Sequence, residues 1–152
     1  MKTQAARSHT TSSDETEIRR QIADWGKALH AKDRDRIVSF YTPDYLAFDL
    51  APPLLHRLDD QRTGLAEWFK TWDGPIDFEA RDVDVTCGDR VAFATSINHI
   101  SGKRTSGEKS DIWVRATVCF RKDDGAWKVA HEHVSVPFYM DGSYRAAVDL
   151  KP

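Results

Sequence analysis

The spacing of apolar residues changes once along the chain, near Ile76, and this change limits what the chain can fold into. Before Ile76, apolar residues recur at intervals of three and four, which is typical of amphipathic helices. After it, they alternate with polar residues, which is typical of strands with one buried face. Helices followed by a run of antiparallel strands predict an α+β fold, with the helices packed on one face of the sheet.

Three helices are predicted in the first half of the chain. The first begins after Ser12, which fits a capping box with Glu15, and its apolar stripe consists of Ile18, Ile22, Trp25 and Leu29. The second carries the apolar residues of segment 37–41 and ends before Pro43. The third is capped by Thr63, and its stripe consists of Leu65, Trp68, Phe69 and Trp72.

The strands form the second half of the predicted fold, after one short strand between the second and third helices. Turns rich in glycine and aspartate separate them, as in a series of hairpins. A twisted antiparallel sheet that curls around helices leaves an open-ended cavity, where a function would be located. The predicted strands cover residues 45–49, 76–87, 90–101, 109–121 and 127–138.

Composition restricts the partners and the compartment. Lys and Arg number 22 against 24 Asp and Glu, for a net charge of −2, so neither nucleic acid nor an anionic membrane is an expected partner. No apolar run is long enough to span a membrane. Cys87 and Cys119 are expected to be free thiols, and the first residues lack the apolar core of a secretory signal, so we expect a cytoplasmic protein. The chain is predicted to form one domain over residues 12–140, with a flexible tail at 1–11 and a C-terminal tail at 141–152.

Two segments carry a resemblance to a known family. Residues 113–138, WVRATVCFRKDDGAWKVAHEHVSVPF, resemble SnoaL-like proteins and ketosteroid isomerase homologues. Their Asp-Gly-x-Trp followed by His-x-His-x-Ser also resembles the association domain of calcium/calmodulin-dependent kinase. Residues 40–49 resemble the ketosteroid isomerase segment that ends in the general-base aspartate. The resemblance, over about residues 14–138, specifies a fold rather than a reaction, because such folds host isomerases, cyclases, dehydratases and non-enzymes.

The resemblance has consequences for architecture and partners. It implies a cystatin-like, nuclear transport factor 2-like fold, in which a cone-shaped, curved antiparallel sheet wraps around N-terminal helices. It implies a homodimer through the outer face of the sheet and a small apolar ligand or substrate in the cavity. No glycine-rich phosphate loop, nucleophile elbow or zinc-finger spacing is present in the sequence, so no cofactor is expected.

The catalytic candidates are Asp49, Trp25 and His99. The resemblance places Asp49 at the position of the family's base, where an apolar roof would raise its pKa and let it transfer protons. Trp25 falls where isomerases have a tyrosine that donates to the developing oxyanion. The second oxyanion donor falls near Val118 or Cys119, and neither side chain can do its work. Steroid isomerisation by the known set of residues is therefore not expected. His99 is a further acid–base candidate, since period two puts it on the same face as Thr95.

Register in the last hairpin predicts the ligand-binding residues. A two-residue turn at Asp124 and Gly125 pairs Asp123 with Ala126, which makes one face of the hairpin mixed and the other almost wholly apolar. Either the mixed face lines the cavity, with the apolar face against a second subunit, or the apolar face is the core. The resemblance favours the first arrangement and also places Thr95 on the cavity wall. The expected ligand-binding residues are Trp113, Arg115, Thr117, Glu132, Thr95 and Tyr45.

The sequence leaves open whether the cavity catalyses a reaction or only binds a ligand. His131 and His133 lie on one side of a strand, which suggests a metal site. No third ligand is evident from the spacing, so no bound metal is expected. Two hypotheses stay open. One is a cofactor-independent enzyme that transfers a proton next to the carbonyl of an apolar compound, and the other is a ligand-binding or assembly domain without catalysis.

Overall fold

The computed structural model describes residues 12–152, so the tail predicted at 1–11 lies outside the described residues. Within this range the chain forms an α+β fold, as predicted. None of its helices combines the length and the apolar character needed to cross a membrane. In chain order the elements are α1 Ser13–His30, α2 Arg34–Ser39, β1 Tyr41–Phe48, β2 His56–Arg57, α3 Leu58–Phe69, β3 Asp77–Cys87, β4 Val91–Lys103, β5 Lys109–Asp123 and β6 Ala126–Ser135.

The six strands form one open sheet in the order β2-β1-β6-β5-β4-β3. All neighbouring strands are antiparallel except β1 and β6, which are parallel. This arrangement joins the short strands from the helical half to the four-stranded meander, so that β1 lies beside the last strand. The first half of the chain therefore contributes both the helices and one side of the sheet.

Helix α1 packs against the inner face of the sheet through a close contact with β3. The Ser12 side chain accepts the Glu15 N–H at 3.1 Å, which confirms the predicted start of the helix. Ile18 and Leu29 on the predicted stripe are fully buried. Gly26 faces Phe78, and a Cβ at this position would lie 2.7 Å from the phenyl ring. The absence of a side chain at Gly26 thus allows α1 to approach β3.

Two boundaries in the helical half differ from the prediction. The second helix ends at Ser39, and Tyr41 begins β1 because this segment pairs with β6, with Tyr41 opposite Val129. The third helix begins at Leu58 rather than beside Thr63. The Asp60 carboxylate accepts the Arg57 N–H at 2.8 Å, which caps the helix earlier than the threonine would.

A β-bulge changes the register of the last hairpin. Near the turn, Asp123 pairs with Ala126, as predicted. The register then shifts between Cys119 and Phe120. Thr117 therefore pairs with His133, whereas an unbroken register from the turn would pair it with Glu132. An extra residue in one strand reverses the alternation of side chains beyond it. Glu132 therefore joins the apolar face, whereas His131 and His133 join the mixed face.

The apolar face of β5 lies under the helices. Val114 and Phe120 are each 2% exposed and Ala116 is 5% exposed. The prediction that the mixed face lines the cavity is therefore wrong, because packing α1 and α3 on the sheet buries the face with fewer polar groups. The apolar row expected to hold a second subunit is part of the core, so it gives no reason to expect a dimer.

The segment predicted as a C-terminal tail folds back beside the sheet. The Ala147 N–H donates to the Pro137 carbonyl at 2.8 Å, and the side chain of Ala147 is only 2% exposed. Near the end of the chain, the Lys151 ammonium lies 3.1 Å from the Asp111 carboxylate on β5.

Candidate functional site

A cavity of about 360 Å³ lies between the inner face of the sheet and helices α1 and α3. Most of its wall is apolar, with contributions from β3, β4, β5 and β6 and from the aromatic residues of the helices. A mostly apolar cavity with a few polar groups is the usual form of a small-molecule site. The polar or ionisable residues on this wall are Gln21, Trp25, Tyr41, Asp49, His56, Gln61, Ser96, Asn98 and Glu132.

Glu132 is the carboxylate set into the apolar part of this wall. The Tyr45 hydroxyl donates a short hydrogen bond to its Oε1, and the Tyr41 hydroxyl donates to the same atom at 3.4 Å. Its Oε2 has no hydrogen-bond partner among residues 12–152 and is accessible from the cavity. One oxygen thus anchors the carboxyl group, and the other is available to a bound molecule.

Burial raises the pKa of Glu132 from 4.5 to about 7. The main cause is desolvation, which disfavours the charged carboxylate, and the negative charge of Asp49 adds to it. The hydrogen bonds from Tyr45 and Tyr41 act in the opposite direction, because they favour the carboxylate. A carboxyl group with a pKa near neutrality can both accept and return a proton at physiological pH.

Three aromatic residues hold Glu132 in place. The Tyr41 and Tyr45 rings are stacked, with centroids 4.1 Å apart and an interplanar angle of 4°. The indole Nε1 of Trp25 donates to the Tyr41 hydroxyl at 3.1 Å, so a chain of hydrogen bonds runs from α1 to β6. Burial, together with the nearby Glu132 charge, raises the pKa of both tyrosines well above their ordinary value, so both remain hydrogen-bond donors.

Asp49, the predicted base, lies at the mouth of the cavity. It follows the end of β1, is exposed, and its Oδ1 accepts the Leu50 N–H at 2.7 Å. The apolar segment 50–55 is the roof expected over Asp49. Its residues 50–52 line the cavity, but the whole segment is exposed, with Leu50 46% accessible. Asp49 therefore faces both the cavity and water, and it influences Glu132 through its charge.

The structure brings together some of the predicted site residues and separates others. Trp25, Asp49 and Glu132 line the cavity, and Tyr45 lies fully buried behind Glu132. The other predicted residues lie on the outer face of the sheet, because the face assignment was wrong for β4 and β5. They are His99, Thr95, Trp113, Arg115 and Thr117.

These outer residues make contacts with one another. The His99 ring stacks on Trp113 with centroids 4.5 Å apart, and its Nε2 lies 2.7 Å from the Asp111 carboxylate. Arg115 donates from Nε to the Ser135 hydroxyl at 3.2 Å. Arg115 thus has a neutral partner on β6, whereas Glu132 lies on the opposite face of the sheet.

The two histidines of β6 also lie on the outer face. Phe48 packs edge-to-face against both rings, with centroid distances of 5.0 Å to His131 and 5.5 Å to His133. His131 Nδ1 lies 2.7 Å from the Leu46 carbonyl oxygen. Across residues 12–152, no group of three or more His, Cys, Asp or Glu side chains is arranged to hold a metal ion.

Sequence reasoning missed six of the polar residues named above, which are Gln21, His56 and Gln61 in addition to Tyr41, Ser96 and Asn98. The sequence pattern predicts Tyr41 in the second helix, although its spacing of four from Tyr45 also fits one face of a longer strand. The resemblance places Thr95 on the cavity wall, which predicts the outer face of β4 for Ser96 and Asn98, but both line the cavity. The alternation in β4 was correct, and only its direction was reversed.

Comparison with known proteins identifies the class. The SnoaL-like domain family matches residues 18–139, and the chain belongs to this family. A structure of an NTF2-like protein of unknown function from Pseudomonas putida KT2440 superposes with a TM-score of 0.83 at 30% sequence identity. The match covers 95% of this chain and 100% of that one. No curated protein matches the sequence.

More distant structures share the fold alone. A ketosteroid isomerase-like protein from Erwinia carotovora atroseptica has a TM-score of 0.71 at 18% identity, covering 82% of this chain and 97% of that one. The association domain of C. elegans CaMKII has a TM-score of 0.65 at 15% identity, covering 82% and 96%. The architecture is thus the NTF2-like one, a fold that these two differently named proteins share.

Proposed function

We propose that the cavity binds a small, largely apolar carbonyl compound and transfers a proton next to its carbonyl group. The observation that supports this most directly is Glu132, a carboxyl group in an apolar wall with one oxygen anchored and a pKa of about 7. In the reaction, the Glu132 carboxylate takes a proton from the carbon beside the carbonyl, and the C–H electrons form an enolate. The protonated Glu132 then returns the proton to the same or to a conjugated carbon, so no oxidant, reductant or cofactor is consumed.

In this proposal the general base is Glu132, whereas the sequence predicted Asp49. Proton transfer is most efficient when the pKa of the base is near the working pH, and burial supplies this condition at Glu132. Asp49 is exposed and already accepts a backbone N–H. In this proposal, Asp49 tunes the base through its negative charge, which helps to hold the pKa of Glu132 near neutrality.

Deuterium exchange into 2-tetralone tests this function. The protein should accelerate exchange of the protons beside the carbonyl in D2O, and the rate should rise with pH as Glu132 ionises near pH 7. Glu132→Gln should lower the catalysed rate by about 10²–10⁴-fold, which is the usual contribution of a general base. Glu67→Gln, at an exposed carboxylate on α3 outside the cavity lining, is the matched control and should keep the full rate. Exchange no faster than in buffer, or full activity in Glu132→Gln, would favour a binding domain without catalysis.

A homodimer through the outer face of the sheet is the second part of the proposal. Apolar side chains are exposed on that face, with Phe93 46% and Phe48 38% accessible, beside the half-buried Trp113. Exposed aromatic side chains are enriched at protein interfaces, also on faces that carry polar residues between them. The similarity in fold to the CaMKII association domain is consistent with assembly.

Sedimentation at micromolar concentration tests the dimer. Phe93→Glu should convert it to a monomer, because the charge would be buried without a partner. Leu54→Glu is the control, since Leu54 is 96% exposed on the loop between β1 and β2, away from the outer face. A monomeric wild type, or a Phe93→Glu variant with unchanged mass, would rule out this interface.

We assign the protein to the cytoplasm. Cys87 and Cys119 are both free, and burial raises the pKa of both thiols, which keeps them unreactive. Free thiols of this kind are typical of reducing compartments. Recovery of the protein in a periplasmic or extracellular fraction would contradict the assignment.

A further inference from the structure

A second polar pair lies on the cavity wall, on β4 and away from Glu132. The Ser96 hydroxyl donates to Oδ1 of Asn98 at 2.7 Å. Their neighbours on the same wall are apolar, since Asn98 lies opposite Val114 and Ser96 opposite Ala116. This hydrogen bond fixes the direction of the Asn98 amide, because it occupies the carbonyl oxygen and leaves the NH2 group to the cavity.

The Asn98 NH2 group needs an acceptor. It has no hydrogen-bond partner among residues 12–152, and it is accessible from the cavity rather than enclosed by protein. A polar group in an apolar wall costs free energy unless something accepts its hydrogen bond. The position therefore suits an oxygen atom of a bound molecule.

The sheet register gives the separation of this group from Glu132. Asn98 lies opposite Val114 and Glu132 opposite Val118, so they are four residues apart along β5 and two strands apart across it. In a flat sheet this corresponds to about 14 Å along the strands and about 10 Å across them. Curvature of the sheet and the inward reach of both side chains shorten the gap, so that their polar atoms face one cavity from opposite ends.

Trp25 connects the two ends. Its ring packs edge-to-face on Phe78, with centroids 5.2 Å apart, and Phe78 lies opposite Ile100 on β4. Its Nε1 reaches the Tyr41 hydroxyl, which donates to Glu132. A molecule that contacts both Asn98 and Glu132 thus lies along an apolar path that includes the indole ring.

We propose that Ser96 and Asn98 determine the substrate class of this cavity. The substrate is a compact, mostly apolar molecule with a second oxygen at the end remote from the reacting carbon. This oxygen accepts a hydrogen bond from the Asn98 NH2 group, and Ser96 holds the amide in the donating direction. The proposal rests on the proton-transfer function, since that function places the reacting end at Glu132.

Two naphthols of similar shape test the pair. In 6-hydroxy-2-acetonaphthone, a carbonyl oxygen lies at the end opposite the hydroxyl group, whereas 6-isopropyl-2-naphthol has the same branching without an acceptor. The dissociation constants of both are measured by fluorescence titration with wild type, Asn98→Leu and Ser96→Ala. The ratio of the two constants is compared between proteins, which cancels the different affinities of the probes for water.

In Asn98→Leu the preference for the ketone over the isopropyl compound should fall by about tenfold. This is the effect expected for the loss of one hydrogen bond to a neutral group. Ser96→Ala should shift it in the same direction by a smaller factor, and it decides the matter if Asn98→Leu does not fold. A ratio unchanged within about twofold in the folded variants, or a wild type that binds neither probe, would overturn the proposal.

The two proposals fail separately. Selectivity that depends on Asn98, without any exchange of 2-tetralone that depends on Glu132, would reject proton transfer and keep the binding role of the pair. Exchange that depends on Glu132, with no effect of Asn98 or Ser96 on the ratio, would do the reverse.

Discussion

The Tyr45 hydroxyl donates to the Glu132 carboxylate although the two residues are 87 positions apart in the chain. The contact depends on the parallel pairing of β1 with β6, in which Leu46 lies opposite His131 and Ala47 opposite Glu132. It also depends on the bulge in the last hairpin, which turns Glu132 inward. The pairing of distant strands thus places a proton donor against a carboxyl group inside an apolar cavity.

Removing the Tyr45 hydroxyl should raise the pKa of Glu132 further. Tyr45→Phe keeps the ring that stacks on Tyr41 but loses the donor that favours the carboxylate. At pH 8 the free energy of unfolding should fall by about 1–3 kcal/mol, because a charged acceptor is left with a weaker partner. Carbon-13 NMR of the Glu132 carboxyl group measures the pKa, and urea unfolding measures the stability.

Tyr139→Phe is the matched control for this change. The Tyr139 hydroxyl also donates to a carboxylate, that of Asp149 at 2.7 Å, but this pair lies outside the cavity. The Tyr139→Phe variant should therefore leave the pKa of Glu132 unchanged. A pKa of Glu132 that stays the same or decreases in Tyr45→Phe would show that the hydroxyl does not support the carboxylate.

Filling the space beside Gly26 should destabilise the fold. In Gly26→Ala, the new Cβ would lie 2.7 Å from the Phe78 ring, which must move together with the Trp25 ring packed on it. Overpacking of this kind costs about 1–3 kcal/mol, which exceeds the gain of about 1 kcal/mol from replacing a helical glycine. Urea unfolding should show a net loss of stability.

Gly64→Ala in α3 serves as the control, because nothing lies within 4 Å of the added Cβ. This variant should be more stable than the wild type by about 0.5–1 kcal/mol. If both alanine variants are stabilised, then α1 and β3 do not pack as closely as the structure shows.

The sequence predicted the order of elements well, because that order depends on local patterns. The Ser12 cap, the stripe of α1 and the alternation in β3–β6 can each be identified within a few residues. The single bulge in the last hairpin could not be identified, since it adds one residue without a glycine or proline to mark it. That one residue moved Glu132 to the cavity wall and His133 to the outer face.

The second feature that the sequence did not determine is which face of the sheet the helices cover. Alternation divides Thr95 from Ser96 and Arg115 from Ala116, but it does not say which set the helices cover. Val114 and Phe120 are buried because the helices, which are distant in sequence, cover the cavity on this face, and the resemblance to relatives favoured the opposite face. Counting apolar residues on each face would have given the observed answer for β5.

Replacing Glu132 by glutamine should remove a pH-dependent loss of stability. Because the pKa of Glu132 is about 7 in the folded protein against 4.5 when unfolded, the folded state binds more protons between these values. The stabilising contribution of Glu132 is therefore complete below pH 4.5 and is lost as the pH rises through 7. The loss amounts to about 3 kcal/mol, at about 1.4 kcal/mol for each pKa unit. Glu132→Gln is neutral at all these pH values, so its stability relative to wild type should rise by this amount between pH 4 and pH 8.

Urea unfolding of wild type and Glu132→Gln at intervals across this range measures the difference, and all other titrating groups cancel between the two proteins. Asp49→Asn is an informative further variant, because removing the Asp49 charge should lower the pKa of Glu132. The loss of stability with rising pH should then be smaller in Asp49→Asn than in wild type, but still present. A difference between wild type and Glu132→Gln that does not change with pH would mean that Glu132 titrates as it does in water. A buried base that titrates in this way would have no advantage over the exposed Asp49, and the proton-transfer function would lose its structural basis.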